Sequence, residues 1–127
     1  MHEQSKKVQR FTDLEVWRKS HDLFLQVLLD VDSLPNTRAG NIPTVQVVRA
    51  LGSTGANIAE GFNRSKAKYL NCLDIALGEA NETENWLYKL RDSKLLAREK
   101  ANAHVAETIQ IEKMLTALYR SISRRSS

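Results

Sequence analysis

Cysteine is nearly absent from this 127-residue chain: Cys72 stands alone, so no intramolecular disulfide can form and no cysteine cage can hold a metal. Its setting between Asn71 and Leu73 suits a small packing residue better than a reactive thiol. No apolar run approaches the roughly 18 residues that a membrane span needs. The opening residues 1–10 are polar and charged, unlike a secretory signal, which points to the cytoplasm and away from a membrane partner. Segments that alternate apolar and polar residues are missing too, so strands are not expected. Catalytic patterns are equally scarce. His2, His21 and His104 are far apart, none belongs to a Glu-x-x-His pair, and neither a phosphate loop nor a nucleophile-base motif is present. Catalysis, a metal and a cofactor are therefore not expected.

What remains is ordinary for a folded chain. Apolar residues make up 42% and charged residues 27%, enough for one domain that buries about two-thirds of its unfolded surface. Thr12-Asp13-Leu14-Glu15 has the form of a capping box that starts a first helix. Leu14, Trp17, His21, Phe24, Leu28 and Val31 then recur at helical spacing until Pro35 blocks continuation. A second helix is expected to begin near Asn41 to Pro43, with Val47, Val48, Leu51, Ile58 and Phe62 on its apolar face. Its middle, Gly52-Ser53-Thr54-Gly55, has low helix propensity and permits a bend unless a tertiary partner holds it. Gly61 suits a left-handed helix end, and Ser65 suits a cap for the next helix.

The third helix is expected over residues 66–93 on the stripe Tyr69, Leu73, Ala76, Ala80, Thr83, Leu87 and Leu90, with Ala76, Gly78 and Ala80 letting a neighbour approach closely. A fourth spans about 98–123 on Ala101, Val105, Thr108, Leu115, Leu118 and Ile122, without a clear cap at its start. The fold class is all-α, and short connections favour an antiparallel up-down-up-down four-helix bundle. Residues 1–11 and 124–127 are expected as basic tails, the first of them flexible, around a bundle of residues 12–123.

Two consequences follow from that order. On the first helix, Val16, Leu23, Val27 and Leu34 widen the apolar arc to about 240°, against roughly 100° for an ordinary surface helix. Val16, Trp17, Leu23, Val27 and Leu34 are thus expected to form an interface in a homo-oligomer, unless that helix lies unusually deep in its own bundle. Charge is also uneven: the net values are +2 for residues 1–10, −3 for 11–34, +4 for 35–68, −2 for 69–96 and +3 for 97–127. The order of the helices would bring Lys6, Lys7, Arg10, Arg64, Lys66, Lys68, Arg120, Arg124 and Arg125 to one pole, with Asp30 and Asp32 towards the other. A polyanion, RNA or DNA, is the partner such a surface fits, through phosphate contacts with little sequence preference. The competing reading makes the terminal arginines complements of a helix dipole and the basic start a solvated tail.

The run Asn57-Ile58-Ala59-Glu60-Gly61-Phe62 with Arg64, followed by Leu73, Ile75-Ala76-Leu77-Gly78, Glu79, Glu82 and Glu84, closely resembles the small bacterial proteins encoded within intervening sequences of 23S ribosomal RNA genes. Asp13-Leu14-x-Val16-Trp17, His21 and Ile111-x-Lys113-Met114-Leu115-x-x-Leu118 extend the resemblance over nearly the whole chain. It implies a four-helix bundle assembling as a ring, typically a pentamer, and a role in RNA or ribosome biology. One departure is Thr54-Gly55 after Ser53, where relatives often carry an isoleucine-proline step. A more distant similarity is to the accessory variability protein of diversity-generating retroelements, whose basic ring binds a reverse transcriptase and nucleic acid. That similarity implies the alternative of a structural or adaptor ring for a protein partner.

Within the diagnostic run, Asn57, Glu60, Gly61, Phe62, Gly78 and Glu79 read as structural residues. In the hairpin scheme the cluster Glu79, Glu82 and Glu84 faces Asn57 and Glu60, which would make a metal site in an enzyme. The other reading has Asn57 or Glu60 cap or tie helix ends, and Glu79 or Glu84 pair with Arg49 or Arg64. Trp17 and Trp86 are expected as core or interface anchors rather than stacking platforms for bases.

Overall fold

The computed structural model describes residues 7–126. Among these, the chain forms a 3-10 turn, Phe11–Asp13, and four helices, α1 (Glu15–Asp32), α2 (Arg38–Gly61), α3 (Lys66–Asp92) and α4 (Arg98–Ser123), with no strand. The helices pack as a four-helix bundle around Val27 of α1, Leu51 and Ile58 of α2, Leu73, Leu87 and Leu90 of α3, and Ile111, Leu115 and Ile122 of α4, all nearly free of solvent contact. Each such side chain contributes about 1.5–3 kcal/mol of burial. No helix is long and apolar enough to cross a membrane.

Single polar side-chain atoms decide the starts of the first three helices. Asp13 does not stand inside the first helix as the capping box required. Its Oδ2 accepts from the amides of Gln9 and Arg10, both at 3.0 Å, while Arg18 donates to the carbonyls of Thr12 and Asp13. The pattern closes the 3-10 turn, and α1 begins only after Leu14. Phe11, placed in the tail by its sequence position, belongs to this turn and meets Trp17 edge-on at 5.3 Å.

Helix α2 starts before the expected proline, because the Thr37 hydroxyl accepts from the Gly40 amide at 3.0 Å. Pro43 therefore sits inside the helix, where it removes one ladder bond. Helix α3 starts where expected: Ser65 Oγ accepts from the Lys68 amide at 3.2 Å. The seven residues of its predicted stripe are all buried.

The weak centre of α2 stays α-helical. A Cβ on Gly52 would stand 3.3 Å from the Phe24 ring, and one on Gly55 would stand 3.3 Å from Ser20 Oγ. The glycines form a notch into which α1 settles, so the partner that holds this turn is α1 itself.

Gly61 corrects an expectation. It is the last residue of α2, and no glycine among the described residues has positive φ; the left-handed residue of this turn is Asn63, with φ 58°. Gly61 serves close approach instead, since an added Cβ would lie 2.6 Å from Cys72 Cβ and 3.2 Å from Tyr69 Cδ1. Gly78 differs: nothing lies within 4 Å of its would-be Cβ, so only Ala76 and Ala80 of the small-residue set face the core.

The phase of α1 is the main correction. Val16, Leu23 and Val27, expected at an interface between copies, are at most 4% exposed within the protomer, and Trp17 and Leu34 are half-buried against the core. The inward line is Val16, Ser20, Leu23, Val27 and Val31. At about 100° per residue it lies roughly 90° from the stripe read through Trp17, His21 and Phe24. Ser20 conceals it in the sequence, because this polar side chain is buried only by donating to the Trp17 carbonyl at 2.8 Å. The outward face instead carries Leu25, Leu28 and Leu29, the last 75% exposed, and Leu28 shares a cleft with Val45 of α2.

Candidate nucleic-acid interface

The ammonium of Lys66, at the start of α3, donates to the backbone carbonyl of Arg125, just past the end of α4, at 2.5 Å. This bond joins residues 59 positions apart. At the other end of the same two helices, Arg91 donates to Asn102 at 3.1 Å. The segment before α1 reaches the first of these poles, where Val8, Arg64 and Arg125 line one cleft of about 400 Å³.

Lys7, Arg10, Arg64, Arg120, Arg124 and Arg125 are exposed. Among the described residues, the guanidinium groups of Arg64, Arg120, Arg124 and Arg125 have no acidic partner within ion-pair distance. Lys66 is occupied by the Arg125 carbonyl, and Lys68 is partly neutralised by Glu60 at 3.3 Å. Arg120 stands one turn back, on the groove between α3 and α4 with Asn81 and Lys113. Arg10 sits over the Phe11 ring at 5.9 Å. Lys6 lies outside the described residues. The cationic set thus separates into an open group around Arg64, Arg124 and Arg125, a tied pair of lysines, and a flanking Arg120.

Tyr69 was legible only as a core position, yet its ring also borders the cleft. Burial pushes its phenol above the ordinary range, while the nearby Arg125 charge opposes that shift. Its polar head, set in an otherwise aliphatic stripe beside a helix start, is the signal that could have marked it.

The acidic residues divide between structural duties. Asn57 donates to the Ser53 carbonyl at 2.9 Å and to its hydroxyl at 3.2 Å, so it braces the interior of α2 and caps no helix end. Glu60, through Lys68, ties the end of α2 to the start of α3. Glu79 meets Arg49 at 3.6 Å, and Glu82 hydrogen-bonds the same guanidinium and accepts from Trp86 Nε1 at 3.4 Å. These two glutamates therefore converge on Arg49, not on Asn57 and Glu60, because α2 presents a cation to them there. Bonding to Arg49 holds the Glu82 carboxyl below its ordinary range.

Glu84 points away, towards α4. It accepts from the Tyr88 hydroxyl at 2.5 Å and lies against Glu112, whose Oε2 is buried without a hydrogen-bond partner. Burial, then the hydrogen bond with Glu84 and its charge, push Glu112 up to about 8. Hydrogen bonding from Glu112 correspondingly lowers Glu84. Burial beside a second carboxyl thus favours the protonated form of Glu112 and the ionised form of Glu84. Among the described residues no group of three or more His, Cys, Asp and Glu side chains could hold a metal ion.

The family described as 23S rRNA-intervening sequence protein matches residues 12–117. A crystal structure of a protein with unknown function from the S23 ribosomal protein family of Bacteroides thetaiotaomicron VPI-5482 is similar. The two are 32% identical with a TM-score of 0.76, over 83% of this chain and 95% of that one. A comparison with curated proteins returns no match.

Proposed function

This chain belongs to the 23S rRNA-intervening sequence protein family, and from that membership we propose a non-enzymatic, homo-oligomeric bundle that binds RNA or DNA through its cationic pole. The observation that carries this reading is the Lys66–Arg125 bond, which draws the α2–α3 turn and the end of α4 together beside free arginines. It also supports an antiparallel, up-down-up-down order. Binding is through phosphates: guanidinium groups without acidic partners are available for bidentate contacts, and the attraction is steep in salt.

Self-association uses the outward leucines of α1 with Val45 of α2, an apolar face that a lone protomer leaves wet. A ring of copies would repeat the cationic pole once per subunit and deepen the local potential.

The test is retention of a structured RNA at low and high salt by the protein and by the triple variant Arg64→Glu, Arg120→Glu, Arg124→Glu. Native mass is followed in parallel. Loss of retention at unchanged mass is the expected result. Equal retention by the variant, or retention indifferent to salt, overturns the reading. The same exposed apolar face favours a second function, an adaptor ring for a protein partner such as a reverse transcriptase, and absence of RNA retention by the unaltered protein would move the weight there.

A further inference from the structure

The cleft at the cationic pole has a composition that phosphate binding alone does not require. Leu14, Phe62 and Leu118 give it an apolar wall, and Arg64 and Arg125 contribute guanidinium groups. Its volume, about 400 Å³, lies in the range of small-molecule sites, about 300–1,000 Å³. Tyr69 is buried, its relative exposure being 6%, and its hydroxyl has no hydrogen-bond partner among the described residues. The ring is buried while its polar tip opens on the cleft, where a ligand oxygen can take the place of water. The Arg125 charge acts on that phenol, which puts cation and hydroxyl within reach of one bound molecule.

An anion alone would leave the apolar wall wet, and an apolar group alone would leave both guanidinium groups and the hydroxyl unanswered. A ligand that answers all of them joins a phosphate to a flat, weakly polar ring. We infer that this cleft receives one nucleotide unit of a bound strand, its phosphate between Arg64 and Arg125, its sugar or phosphate oxygen at the Tyr69 hydroxyl and its base against Phe62 and Leu118. The inference rests on the nucleic-acid reading and sharpens it: the pole holds an unstacked nucleotide, as at a strand end or a loop, instead of only following a backbone. Guanidinium groups favour phosphate through paired N–H donors, and the face of a base tolerates any sequence.

The probe is adenosine 5′-monophosphate, titrated at fixed ionic strength against the full chain and followed by nuclear magnetic resonance, with adenosine and inorganic phosphate as separate arms. One site per chain should saturate with the monophosphate, and the two fragments should bind at least about tenfold more weakly. Tyr69→Phe keeps the ring and removes only the hydroxyl; it and Arg125→Gln should each weaken the monophosphate by about tenfold. Arg38→Gln, at the start of α2 and outside the cleft, should leave it within about twofold, and melting temperature verifies that every variant is folded. Equal binding of inorganic phosphate and monophosphate, no effect of Tyr69→Phe, or preference for an acidic peptide bearing an aromatic residue would each overturn the proposal. RNA retention distinguishes the two readings. If RNA is retained while the monophosphate does not bind, the cleft is wrong and the cationic pole survives; if the monophosphate binds and RNA is not retained, the cleft survives as a nucleotide site and the strand-binding pole is wrong.

Discussion

Asp30 Oδ2 lies 2.7 Å from Nε2 of His104, joining the last turn of α1 to the first turns of α4 across 74 residues of sequence. His104 is 5% exposed, and Lys100 brings a cation 3.6 Å from the same carboxylate. Removing the acid leaves a buried ring nitrogen without its partner, and such orphaning costs about 1–3 kcal/mol. Asp30→Ala should therefore lower the urea midpoint by that equivalent, whereas Asp32→Ala, on an exposed neighbour, should change it little. Equal effects of the two would deny the contact.

The raised Glu112 carboxyl beside Glu84 predicts an unusual dependence on pH. Glu112 titrates near its ordinary 4.5 when unfolded and at about 8 when folded. Between those values the folded state holds the extra proton, so stability falls as pH rises across the window and levels off above it. Glu84, lowered in the fold, acts in a different window: its contribution is present above its ordinary value and is lost in acid. Glu112→Gln offers an amide donor that does not titrate. Melting curves of that variant should lose the downward slope towards pH 8, and an unchanged slope would refute the raised Glu112 titration.

Two glycines should respond oppositely to the same substitution. Gly61→Ala forces a methyl within 2.6 Å of Cys72 Cβ, an overpacking that costs about 1–3 kcal/mol. Gly78→Ala meets open space inside α3 and should raise stability by about 0.5–1 kcal/mol through helix propensity. Thermal denaturation of both variants checks the pair; destabilisation by Gly78→Ala would show that another surface covers that position.

For self-association, Leu29 is the most exposed large apolar residue on α1. Leu29→Glu should reduce native mass while leaving helical content intact. Val27→Ala, on the buried side of the same helix, should cost about 1–3 kcal/mol of stability without placing a new charge between copies. Unchanged mass for Leu29→Glu would exclude this face.

Much of this fold was readable because α3 and α4 obey one rule along their whole length. From Tyr69 to Leu90 every third or fourth residue is small or apolar, Ser65 announces the start, and no competing stripe exists. Helix α1 lacked that clarity: leucines surround it, and the choice of inward line was made by α2, whose Gly52 and Gly55 receive Phe24 and Ser20. The site was legible to the same degree. Charge and helix order identify Arg64 and Arg125 as neighbours, but no spacing rule reveals that Tyr69 would lack a partner or that Glu60 would partly neutralise Lys68. Those outcomes depend on how side chains from separate helices meet, and a single chain of letters records only that they are compatible.

The tight seam between Gly61 and Cys72 has one more effect. Cys72, the sole thiol of the chain, is 1% exposed beneath that contact. An alkylating reagent reaches the sulfur only when α2 and α3 part, so the rate at which it is consumed is an internal clock for the breathing of the hairpin.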